Sequence, residues 1–237
     1  MKRLNFKNSI ICPAILFATL LSLAGCKLGG LVSLLGTESY HEQKIPAEFD
    51  FSKQTDKKIL VLVDQPAWAL LNSQADLRYY LTKAIRTNIM IQAELKPENL
   101  LSYDKLVKFR SSQSDFSSLS PIEIGKAMDA NMVLLVLIED YQLNEMSQSS
   151  YLMGNLNTRV ILYDAQTGEK LWPQQEASRS VRVSFDVETK GVEVAVSRLT
   201  AANAFCTTRY FYDCPKAKFR IYEDRTREGA EGWESLK

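Results

Sequence analysis

Few residues in this 237-residue chain have the type and spacing to do chemistry, and the carboxylates at two strand ends come first. Asp64 closes the apolar run Ile59-Leu60-Val61-Leu62-Val63, and Glu139-Asp140 close the run Met132–Ile138. If the two runs form parallel strands, their carboxyl ends share one edge of a sheet, where open α/β sheets hold ligands. Asp64 with Glu139 or Asp140 could there bind a metal or act as an acid and base pair. Neither run is followed by a glycine-rich phosphate loop, and strict alternation would send Glu139 and Asp140 to opposite faces. His41 is the sole histidine, so neither a Ser-His-Asp set nor a Cys/His zinc cluster can be assembled in the folded part. Cys206 and Cys214 lack the C-x-x-C spacing of a redox pair. No catalytic residue, metal or cofactor is expected. Arg209-Tyr210-Phe211-Tyr212-Asp213 mixes aromatics with charge, and it suits either an interaction surface or packing on the sheet. Trp68 and Trp172, each beside a proline, carry the same two readings, with stacking on a wall glycan as a variant of the first.

The N-terminus has a different logic. Lys2, Arg3 and Lys7 precede an apolar run from Ile10 to Leu23, too short for a comfortable membrane span and the right length for a signal core. The run ends in Leu23-Ala24-Gly25-Cys26. That sequence resembles the lipobox of bacterial lipoproteins. The resemblance implies cleavage between Gly25 and Cys26, a diacylglycerol on the Cys26 thiol, and a place in the cell envelope. Lys27 is not the aspartate that commonly signals inner-membrane retention, which favours the outer membrane, facing the periplasm. Removing residues 1–25 takes away three of the 29 basic residues and none of the 28 acidic ones, leaving a formal charge of −2. Such a chain has no basic excess with which to bind nucleic acid. Cys12 leaves with the signal and Cys26 is acylated, so Cys206 and Cys214 remain. In an oxidising compartment they are expected to form one disulfide around Thr207–Asp213, contributing about 2–3 kcal/mol in the chain-entropy model, with two reduced and merely buried thiols as the alternative.

The elements follow from periodicity. Residues 26–56 read as a lipidated N-terminus and tether, with a root-mean-square reach of about 30 Å if flexible. Residues 57–222 form one α/β domain, and the charged stretch 223–237 reads as a disordered tail. Ile59–Val63 is a strand buried on both faces. Leu77, Leu81, Ala84, Asn88 and Ile91 mark a helix between Ser73 and Ile91. Tyr103–Phe109 could form a short helix, and a Ser-rich loop follows. Ser120-Pro121-Ile122-Glu123 is a capping-box helix start leading into the strand Met132–Ile138. Two such strands joined through helices favour a parallel pair. Thr158–Tyr163, the turn Asp164–Gly168 and Glu169–Trp172 make a hairpin. Val181, Val183, Phe185 and Val187 alternate with Arg182, Ser184 and Asp186 in a further strand, and a last helix runs from Val192 to about Tyr210 with Val192, Ala195, Val196, Leu199, Ala202 and Cys206 on one side. The fold class is α/β (α+β), a single mixed sheet of about five strands with helices packed on it.

Three stretches of the domain carry a resemblance: the strand Lys58–Val63, the helix Gly125–Ala130 running into the strand Asn131–Ile138, and the hairpin Arg159–Trp172 with its Tyr163-Asp164 and Thr167-Gly168-Glu169-Lys170 turn. In order and pattern they resemble the periplasmic α/β domains of curli-secretion and penicillin-binding-protein activator lipoproteins. The resemblance implies a non-enzymatic, membrane-anchored protein that binds an envelope protein partner in an assembly or regulatory role, with homo-oligomerisation also open. It supplies no functional residue, and the long membrane hairpins of a curli-type pore are not evident.

Overall fold

The computed structural model describes residues 43–65, 77–145, 151–188, 191–216 and 218. The signal peptide, Gly25 and Cys26, His41, Trp68 and the 223–237 tail lie outside the described residues. The chain runs through β1 (Lys44–Ile45), β2 (Ile59–Asp64), α1 (Leu77–Gln92), α2 (Tyr103–Ser112), α3 (Pro121–Ala127), β3 (Met132–Glu145), β4 (Tyr151–Asp164), β5 (Lys170–Trp172), β6 (Arg179–Glu188), α4 (Val192–Thr208) and β7 (Cys214–Pro215). No helix among the described residues is long and apolar enough to cross a membrane.

The unbroken apolar run of β2 is explained by two cores, one on each side of the sheet. Ile59, Val61 and Val63 enter a large core shared with Leu81, Ile85 and Ile89 of α1 and with Val196 and Leu199 of α4. Leu60 and Leu62 face the other way, onto Val133, Ala165, Leu106 of α2 and Ile124 of α3. A side chain of this size contributes on the order of 2 kcal/mol when fully buried, so neither face of the strand can be polar without cost. β2 pairs in parallel with β3 from Ile59↔Met132 to Asp64↔Leu137, as the sequence suggests. β3 and β4 are antiparallel, and β4 then pairs with both β5 and β6. The result is a five-stranded mixed sheet in an α/β fold.

Local chemistry sets the element ends. The Ser120 hydroxyl accepts from the Glu123 amide at 3.2 Å, and the Glu123 carboxylate accepts from the Ser120 amide at 2.7 Å. These reciprocal bonds, with Pro121 in the first turn, start α3 where the sequence places it. They also hold the Glu123 carboxyl below its usual range. After β4, Asp164 accepts the amides of Gln166 and Thr167 at 2.8 Å each, and Gly168 closes the turn at φ +80°. A left-handed φ is open to glycine without a Cβ penalty.

Several expectations need correction. The strands β3 and β4 continue well beyond Ile138 and begin well before Thr158. Val192 is 42% exposed, off the buried side of α4, and the helix stops at Thr208. The Cys206–Cys214 disulfide is not formed: both side chains are buried thiols. Packing does the work assigned to the staple. Tyr210, Phe211 and Tyr212, inside the expected loop, are buried, with Phe211 stacked on Phe51 at 4.5 Å between centroids and edge-on to Trp172 at 4.8 Å. The aromatic stretch is therefore core, not an exposed surface.

Residues 43–56, expected within the tether, are packed on the domain. β1 pairs with β7, the amides of Glu48 and Phe49 donate to the Tyr210 carbonyl, and the Phe51 amide donates to the Phe211 carbonyl. The Asn99 side-chain amide then donates to the carbonyls of Thr55 and Lys57.

Candidate functional site

The two faces of the sheet are covered unequally. Helices α1 and α4 line the large core, whereas α2 and α3 shelter the opposite face around Leu60, Leu62 and Val133. Beyond Ile138 that second face carries mostly polar side chains, with Met153 exposed among them.

A β-bulge decides what stands there. Ile138 pairs with Thr158, but the next pair is Asp140 with Asn157, so Glu139 is an extra residue in β3. An added residue shifts the alternation by one position. Before the bulge, Leu134, Val136 and Ile138 point into the large core; after it, Tyr141 and Leu143 do. Asp140, which unbroken alternation would send inward, instead lines the outer face with Gln142 and Asn144. Glu139 and Asp140 thus stand on the same face, contrary to the expectation from strict alternation. The bulge keeps a carboxylate out of the core, where leaving it unpaired would cost several kcal/mol.

The outer face forms a shallow cleft of about 310 Å³, framed by Asp140, Gln142, Asn155, Asn157, Arg182 and Ser184. Its groups hold one another. The Asn155 amide donates to Asp140 at 3.3 Å, and the Asn157 amide reaches Glu139 at 3.5 Å. Arg159 forms an ion pair with Glu139. The Asn155 carbonyl oxygen is buried and makes no protein hydrogen bond, leaving one acceptor at the cleft floor.

Asp64 joins a different partner. It stands at the end of β2 opposite Leu137, with Arg110 of α2 at 3.7 Å. Arg110 lies over the Phe116 ring, and desolvation is the main cause of its lowered pKa. The three carboxylates of the expected strand-end site are thus each engaged locally. Among the described residues no three His, Cys, Asp or Glu side chains gather as metal ligands. What the face offers is a flat array of amide, carboxylate and guanidinium groups of both signs, suited to hydrogen-bonded recognition.

Trp172 cannot serve as a stacking platform. It is 1% exposed, and its indole N–H donates to Glu48 at 2.7 Å. Sequence reasoning missed Gln142, Asn144, Asn155 and Asn157, although their every-second spacing in 142–144 and 155–157 was a readable strand signal.

No family model matches the chain, and no curated protein matches it. Among solved structures it is similar to lipoprotein GNA1162 from Neisseria meningitidis, at 14% identity and a TM-score of 0.39, over 62% of this chain and 94% of that one. It is also similar to a PelC dodecamer from Paraburkholderia phytofirmans, at 12% identity and a TM-score of 0.40, over 70% and 91%. The LpoB C-terminal domain from Salmonella enterica aligns at 16% identity and a TM-score of 0.30, over 61% and 86%.

Proposed function

We propose that this chain is a lipid-anchored lipoprotein of the bacterial envelope whose domain docks a protein partner on the outer face of β3, β4 and β6. The observation that carries the reading is the half of the sheet that no described helix covers, where a bulge turns Glu139 and Asp140 outward beside Asn155, Asn157 and Arg182. The lipobox Leu23-Ala24-Gly25-Cys26 supplies the anchor. Residues 43–56 pack on the domain and so belong to it, not to a tether.

Two experiments test this. A photoreactive amino acid at Gln142 or Asn157 should give a discrete crosslinked product with another envelope protein in intact cells, and the same probe at exposed Lys108 of α2 should not. Products made only with the chain itself, or none, would overturn the docking face. Cys26→Ser should leave uncleaved, unacylated precursor; a processed soluble protein would overturn the anchor.

A further inference from the structure

Among the described residues β6 is an edge strand of the sheet and pairs with β4 alone, in an unshifted register from Tyr151↔Glu188 to Val160↔Arg179. In any strand, backbone N–H and C=O groups point to both sides, so β6 carries a row of them facing away from β4. Proteins ordinarily blunt such an edge by shortness, proline, a bulge or charged side chains, and of these β6 has only charges, of both signs, at Arg179, Arg182, Asp186 and Glu188. β6 spans ten residues, contains no proline, and has no bulge against β4.

We infer that β6 pairs antiparallel with β6 of a second copy of this chain, with the two-fold axis passing through Ser184. This goes beyond the docking face proposed above and does not rest on it. The order of residues along the strand selects the register. Opposed residues in an antiparallel pair share a face, so only registers that set odd positions against odd keep the core-facing side continuous. Val181 and Val183 are buried on that side, while Arg182 and Ser184 are exposed on the other. With the axis at Ser184, Arg182 opposes position Asp186 of the second copy, and this happens twice by symmetry. In the same register Val181 opposes position 187 and Val183 opposes position 185. Moving the axis to Arg182 sets that arginine against itself, and moving it to Asp186 sets that aspartate against itself. An axis at Val183 makes no charge pair. An axis at Phe185 sets Arg182 against Glu188 but shortens the paired stretch. The Ser184 register combines nearly full-length pairing with residue types that oppose charge to charge and apolar to apolar. Cross-strand pairs of both kinds are the stabilising units of a sheet. The product is one sheet continuous across two chains, related by the closed symmetry commonest in homo-oligomers.

Cysteine scanning on the full-length protein in its native membranes tests the register. At the axis, the two copies of position 184 stand about 4.5–5.5 Å apart between Cα atoms, within disulfide range. Ser184→Cys should therefore give a dimer on mild oxidation, and Ser180→Cys, which opposes Glu188, should not. In detergent extracts, Arg182→Asp or Asp186→Arg alone should lower the dimer fraction about tenfold, and the double swap should restore it. Circular dichroism checks that each variant is folded. A monomeric Ser184→Cys, equal crosslinking from position 180, or a double swap no better than the single ones would overturn the proposal. Should a charge variant not fold, the position 184 and 180 comparison decides alone.

Discussion

Glu48 accepts a 2.7 Å hydrogen bond from the indole N–H of Trp172, and its carboxylate also takes a bond from Arg179 at 3.1 Å. One side chain from the N-terminal segment thus ties together the end of β5 and the start of β6. Arg179 in turn lies over the Tyr210 ring at 4.9 Å. Glu48→Ala should destabilise the domain by about 1–3 kcal/mol, because it leaves a buried indole donor without its acceptor. Glu48→Gln should cost less, since an amide oxygen can still accept. Urea unfolding measures both, and proteolysis between Gln43 and Phe51 should quicken in the alanine variant. Equal midpoints for all three proteins would show that the segment is held by its backbone bonds alone.

Gly125 marks a close approach of α3 to β3. A Cβ there would stand 2.4 Å from Val133 Cγ2 and 3.1 Å from the Ala165 Cβ. Gly125→Ala should cost about 1–3 kcal/mol through overpacking despite alanine's better helix propensity. Val133→Ala in that background should recover part of the loss, although alone it opens a cavity. A Gly125→Ala protein as stable as the parent in thermal unfolding would mean that the helix can shift outward freely.

Cys206 offers a pH-dependent readout. Burial pushes its thiol from the ordinary value near 9 up to about 12, with Arg209 pulling weakly the other way. A thiolate is the reactive form, so alkylation of Cys206 at pH 8 should be slow in the folded protein and fast after unfolding. The sign of the stability effect follows. Below pH 9 both states keep the proton and the group is neutral in effect; between 9 and 12 only the unfolded state ionises, so stability falls as pH rises. Rapid alkylation of Cys206 in the native protein, located by mass spectrometry, would contradict this.

Thr158 and Asn203 are both fully buried, and they join β4 to α4 through a 3.1 Å bond that Thr207 extends at 3.4 Å. Thr158→Val keeps the shape and removes the hydroxyl. It should cost about 1–3 kcal/mol by stranding part of the Asn203 amide. Asn203→Leu in the Thr158→Val background should cost less than the sum of the two single changes. Additive costs in a double-mutant cycle would show that the two groups do not act together.

Much of the fold was legible because its signals are local. The Ser120–Glu123 capping box and the Asp164–Gly168 turn satisfy backbone groups within a few residues, and the unbroken apolar run of β2 reports burial on both faces, so spacing and composition identify them. The distal halves of β3 and β4 were harder to see. One of their faces is polar, and the bulge at Glu139 breaks the alternation that would have revealed it. The 43–56 segment read as linker because its polar composition hides Phe51, which is buried against Phe211, far away in the chain.

The sequence by itself determined the order of the main elements and the α/β class, since caps and periodicity are properties of neighbouring residues. Tertiary structure alone decided that Glu139 and Asp140 share a face, that Asp64 pairs with Arg110 instead, and that Cys206 and Cys214 remain thiols. Each of these depends on a register shift or on aromatic packing between distant segments. Sequence spacing cannot encode such contacts, because they form only when the chain closes its core.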